Sequence, residues 1–162
     1  MVVTAVSGTD VTFTWTAPDD NEEPLIGYVL KIRKSDGTYL EDTAVCDGTA
    51  LLATRVCTVS MATLRASPYS LTYGTLVQAI VSAENSLGSS SFSQVNTAGA
   101  TIQTVPTQMG SVSINYAGSS LTTLAVTWSA LTGDQNIGGS AITSYWLEYS
   151  DDAGVTWDDV QG

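Results

Sequence analysis

The chain has 162 residues, 43% of them hydrophobic, and sixteen acidic against five basic side chains give it a net charge of −11. That length allows one large or two small domains, and that charge repels a phosphate backbone, which excludes nucleic acid as a partner. Histidine is absent, which removes the commonest general base and every His-containing zinc site.

Met1 to Ser7 reads as a first edge strand ended by the turn Ser7-Gly8-Thr9-Asp10. Nothing after Met1 has the charged start and apolar stretch of a secretory signal, so a mature chain or an internal segment is expected. In Val11-Thr-Phe13-Thr-Trp15 the apolar side chains fall on one face and threonines on the other, which predicts a strand with Trp15 as a core anchor. Asp19 to Glu23 is an acidic loop. Its carboxylates Asp19, Asp20, Glu22 and Glu23 are weak calcium candidates, since hard cations want clustered oxygens, but they lack the ligand spacing of an EF-hand and the plainer reading is a solvated charge run.

Leu25 to Arg33 predicts a strand in which Tyr28, Leu30 and Ile32 point inward and Val29, Lys31 and Arg33 outward. Ser35 to Thr38 is its turn, and Tyr39 to Val45 a short strand before Cys46. Cys46 and Cys57 are too few for a four-thiolate site and lack Cys-x-x-Cys spacing; a disulfide is expected, with a redox or metal pair as the rival that the spacing does not support. A strand from Arg55 to Val59 follows, and Ser60 to Leu71 crosses between sheets.

From Val77 to Ala83 small or apolar residues occupy every second position, with a turn after Asn85 and a Ser/Gly-rich edge beyond. That is a half-buried strand feeding a hairpin. If Val77, Ala79 and Val81 point inward, Ile80 points outward beside Val29, and the two form an exposed apolar spot; by the same alternation Trp146 marks a second. Such residues are a candidate contact surface, though single exposed apolar side chains are common. Ser90 to Thr104 is a last strand broken at Ala98-Gly-Ala100, and Val105-Pro106-Thr107 is a short, stiff boundary that should hold a preferred angle.

Then the pattern repeats. Leu124-Ala-Val126-Thr-Trp128 matches Val11-Thr-Phe13-Thr-Trp15 in type, and Ile142 to Tyr149 matches Leu25 to Ile32, with Trp128 and Tyr145 as the second pair of core anchors. Trp15 and Leu25 are ten positions apart, Trp128 and Ile142 fourteen, and the extra residues lie in the loop Gly133 to Ser140. One more hairpin, Asp151 to Trp157, follows. The expectation is a segment of a longer repeat protein, with strand addition from a neighbouring chain as the alternative source of the missing strands.

Together these residues resemble tandem fibronectin type III domains: Trp15 and Trp128 take the place of the family's B-strand Trp, Tyr28 and Tyr145 that of its C-strand Tyr, and Leu71, Gly74-Thr75, Ala83-x-Asn85 and Gly88 match its E-F corner and F strand. Val77 departs from it, standing where the family has a tyrosine that braces the corner; Tyr73 or Tyr69 would have to replace it. The run of Cys57-x-Val59 before Pro68-Tyr-x-Leu71, with Gly99-Ala-x-Ile102-x-Thr-Val-Pro106, is similar to repeats of very large surface proteins of single-celled eukaryotes. The resemblance implies an all-β, immunoglobulin-like sandwich, complete over 1–104 and truncated after strand C′ over 105–162.

It also implies a structural or adhesive repeat module, outside the cell or on its surface, building a rod or filament with other copies of itself or neighbouring repeats. A ligand-binding receptor ectodomain, taking a surface protein or glycan through the loops Asp19 to Glu23 and Asn85 to Ser89, and an accessory spacer of an extracellular carbohydrate-active enzyme are the alternatives. Few basic residues, about a quarter Ser and Thr, and one Cys pair agree with that compartment. Asparagine sequons are absent, so sugar would sit on Ser89, Ser90 or Ser91, or on Ser119 to Thr123; a plain polar edge is the rival. Catalysis, a cofactor and membrane insertion are not expected: no base serves the many hydroxyls, and no apolar run approaches the roughly 18 residues of a span.

Overall fold

A computed structural model describes residues 1–160. Alternating sequence builds two antiparallel sheets. One is formed by β1 (Val3–Ser7), β2 (Asp10–Thr14) and β5 (Val56–Ser60), in the order β1-β2-β5. The other contains β3 (Leu25–Arg33), β4 (Tyr39–Glu41), β6 (Ala79–Asn85) and β7 (Gly88–Ser89), in the order β4-β3-β6-β7.

Register puts the apolar faces together. Val11 pairs with Val59 and Phe13 with Cys57 in the first sheet, and Leu30 with Val81 and Ile32 with Ala79 in the second. All eight are buried in one hydrophobic cluster, and side chains of this size contribute roughly 1.5–3 kcal/mol each when fully buried. The alternation read along β3 holds residue by residue: Tyr28, Leu30 and Ile32 are buried, Val29 and Lys31 half-buried and Arg33 exposed.

A five-residue helix, α1 (Met61–Arg65), occupies the crossing that the sequence left without structure. Ser60 caps it by accepting the Thr63 amide at 3.0 Å, and Met61 and Leu64, three residues apart, turn their side chains into the core. Such a helix is too short for its period to stand out from a loop.

Cys46 and Cys57 form a disulfide, with Cα atoms 5.8 Å apart. The loop they close presses its backbone against β3: a Cβ on Gly48 would lie within 1.6 Å of the Tyr28 carbonyl oxygen. Only glycine fits there. β4 pairs with β3 only at Lys31–Arg33, so this loop covers the part of the β3 edge that β4 leaves bare, which blunts edge-to-edge pairing.

The last part of this unit changes sheets. Ser90 and Ser93 donate their amides to Ala83 and Val81 beside β6, both at 2.8 Å, and the Ala100 amide then reaches Thr4 in β1 at 3.1 Å. Asn96, 2% exposed, holds the crossing. Its Oδ1 accepts the Ala79 amide at 2.9 Å and its Nδ2 donates to the Val77 carbonyl at 2.9 Å and the Ala98 carbonyl at 3.1 Å. The side chain thus replaces the ladder where the backbone leaves it.

Beyond Val105, over the part expected to hold only the first strands of a second unit, no pair of facing sheets forms among the described residues. Two separate two-stranded ladders appear instead: β8 (Ser113–Ile114) with β9 (Val126–Thr127), and β10 (Glu148–Tyr149) with β11 (Asp158–Asp159), with α2 (Asp134–Ile137) between them. Trp128 and Tyr145, expected as core anchors, are 39% and 38% exposed. A two-stranded ribbon buries little by itself, and among the described residues no second sheet lies over them.

Candidate functional site

In the first unit Trp15 and Tyr28 are buried and meet edge to face, ring centroids 5.4 Å apart. They are core, and they support one end of the unit, where two loops converge. Asp19, Asp20 and Asn21 form one wall of a cleft of about 390 Å³, and Asn85, Leu87 and Gly88 the other. Ser86 ties the walls together by donating its hydroxyl to Glu23 Oε1 at 2.6 Å.

The acidic loop is held by its own backbone. Asp19 Oδ1 accepts the Asn21 amide at 2.8 Å and Asp20 Oδ1 the Glu22 amide at 3.2 Å, with Asn21 and Glu22 at φ of 55° and 66°. These contacts and the Ser86 tie engage Asp19, Asp20 and Glu23 separately, and among the described residues no three acidic, Cys or His side chains are grouped to hold a metal ion. Leu87, at the hairpin tip, is 85% exposed. The cleft therefore combines amides, carboxylates and hydroxyls with apolar wall from Pro18, Leu25 and Leu87, a mixture able to hydrogen-bond a polar ligand and pack against its apolar faces.

The expected apolar spot on the sheet face is not open. Val29 and Ile80 are half-buried, on neighbouring strands, with Val29 opposite Ser82 and Lys31 opposite Ile80. The Lys31 ammonium lies 4.7 Å over the Phe92 ring, so a cation and an aromatic ring share that face, and Ser82 is itself buried. The extended segment after β7, hydrogen-bonded beside β6 at Ser90 and Ser93, brings Phe92 onto Lys31, a contact that two-residue alternation does not show. Trp146 stands apart, 77% exposed.

The serines at the hairpin differ. Ser89 donates to Glu84 Oε1 at 2.7 Å, while Ser90 Oγ accepts the Ala83 amide at 3.0 Å and donates to the Ser91 carbonyl. All three are exposed, and Ser91 differs in that its hydroxyl makes no hydrogen bond among the described residues.

Two clusters escaped the sequence reading. Tyr69 is buried and donates its hydroxyl to Asp42 Oδ2 at 3.2 Å; burial first, then the Asp42 charge, pushes the phenol up to about 12. Tyr73 accepts a hydrogen bond from the Thr104 hydroxyl at 3.3 Å and has the Arg65 guanidinium 3.9 Å over its ring. These are the two tyrosines named as possible replacements at the corner, and they bind Asp42 and Thr104; the Val77 carbonyl is instead held by Asn96. Arg65 and Tyr73 also line a polar cleft of about 660 Å³ against Asp134, Gln135 and Asn136. Their partners are distant in sequence, and no local pattern signals such pairs.

Compared with models of known protein families and with curated proteins, the chain matches none. Its class rests on the residues and the fold: an all-β chain of antiparallel sheets, with one disulfide and no helix long and apolar enough to cross a membrane among the described residues.

Proposed function

We propose that this chain is a structural or adhesive repeat module, a fibronectin type III-like sandwich over 1–104 followed over 105–162 by the first strands of a second such unit, in an extracellular or cell-surface protein built as a rod or filament. The observation that carries this reading is the recurrence of one aromatic pair. Trp128 and Tyr145 meet edge to face at 5.9 Å, as Trp15 and Tyr28 do at 5.4 Å, at matching places in the two sequence copies. Recurrent units joined by a short proline-containing segment are how repeat proteins gain reach. The disulfide supports an oxidising compartment. Negative-stain micrographs of the whole protein decide the matter: linear arrays are expected, and globular monomers throughout would remove the rod.

A second reading, a ligand-binding ectodomain, draws on the cleft between Asp19–Asn21 and Asn85–Gly88, with its Ser86–Glu23 tie. On this reading the ligand is a polar surface group such as a glycan. Alanine at Asp20 and Asn85 abolishes glycan-array binding if the cleft is the site; retention of binding removes it.

A further inference from the structure

The four additional residues of the second copy have a use that the sequence comparison alone does not show. In the first copy Trp15 and Leu25 are ten positions apart, and in the second Trp128 and Ile142 are fourteen, the excess lying in Gly133 to Ser140. That loop folds as the single turn α2 between Gly133, at φ 81°, and Gly138 and Gly139, at φ 69° and 74°. It does not project into solvent. It returns to the end of the first unit, where the Thr104 amide donates to the Gly138 carbonyl at 2.7 Å and the Thr107 amide to the Asn136 carbonyl at 2.8 Å.

The approach is closer than a side chain permits. A Cβ on Gly138 would stand 2.1 Å from the Thr104 carbonyl oxygen, and one on Gly139 2.9 Å from that of Ile102. Gly138 is buried although most of its loop is exposed. Both its left-handed backbone and its contact therefore demand glycine. The connecting segment has no comparable hold of its own: Val105 is 74% exposed, and a proline at 106 restricts the chain locally without tying it to either side.

We propose that the Gly133 to Ser140 loop is a backbone lock that sets the angle between the first unit and the chain after Val105, with Gly138 as the residue on which it depends. The lock grips the two amides that flank Val105-Pro106, so that this part of the connection is bridged from outside. Its consequence for a rod, a fixed bend per repeat, rests on the function proposed above; the lock itself does not.

Amide hydrogen exchange on the whole 162-residue chain tests it. In the unmodified protein Thr104 and Thr107 should exchange at least about tenfold more slowly than an unstructured peptide. Gly138→Val should remove that protection, leave the β3 and β6 amides protected, and broaden the range of particle dimensions in small-angle scattering. Free exchange at Thr104 and Thr107 in the unmodified chain would overturn the proposal, and so would a Gly138→Val chain whose two amides stay protected. Because the unmodified chain is measured first, a variant that fails to fold leaves the first criterion standing. Micrographs without filaments would count against the rod and not against the lock.

Discussion

The rings of Trp128 and Tyr145 meet edge to face with centroids 5.9 Å apart and planes at 61°. Trp15 and Tyr28 hold nearly the same relation, at 5.4 Å and 74°, yet the first pair is two-fifths exposed and the second is core. The geometry of the aromatic pair is thus nearly the same in both halves, while the strands that carry it and what packs over it differ. That difference sets the first expectation.

Trp15→Ala should cost about 3–5 kcal/mol in urea unfolding, the range for removing a buried large aromatic. Trp128→Ala should cost less than half as much, because water already reaches its ring. Equal costs would show that the second pair is covered in solution.

The disulfide should leave no titratable thiol under denaturing conditions. Replacing Cys46 and Cys57 together with Ser should lower stability by about 3 kcal/mol, the chain-entropy value for closing an eleven-residue separation. The same variant loses the covalent hold on the loop over the β3 edge, so faster concentration-dependent aggregation should accompany it, read by light scattering.

Asn96→Ala should cost about 2 kcal/mol in the same unfolding assay, since it strands the buried Ala79 amide, while the Val77 carbonyl keeps the Thr4 hydroxyl at 3.3 Å. Asn96→Asp keeps an acceptor for the Ala79 amide but turns a buried carboxylate oxygen onto the Val77 and Ala98 carbonyls, so it should cost at least as much as the alanine. An unchanged midpoint in both variants would mean that the strand crosses without this hold.

The Tyr69 phenol, raised to about 12 by burial and by Asp42, titrates near pH 10 when unfolded. Its folded value lies above its unfolded one, so the stability it contributes is fully present below about pH 10 and is lost as pH rises through about 12. Tyr69→Phe has no proton to lose there, and its urea midpoint should fall less between about pH 8 and about pH 11 than that of the unmodified chain. Parallel decline would rule the linkage out.

Adding a chelator should leave the melting temperature unchanged, because Asp19 and Asp20 accept from the backbone of their own loop and Glu23 from Ser86. A marked drop would mean that the loop gathers oxygens around a cation.

What the sequence by itself determined was whatever repeats every second residue or every unit. Inward Tyr28, Leu30 and Ile32, the bounds of β3, the break near Ala98 and the pairing of the two cysteines all follow from alternation, turn residues and cysteine count, because a strand's two faces are written into adjacent positions. Which of those faces is covered is a property of the tertiary structure. Val29 and Ile80 are half-buried on a face where Lys31 carries Phe92, and Trp128 and Tyr145 stay about two-fifths exposed because no second sheet covers them among the described residues. Likewise Asn96 with Thr4, Tyr69 with Asp42, and Gly138 against Thr104 bring together residues up to 92 positions apart. No short-range pattern encodes such meetings; the path of the chain between sheets decides them.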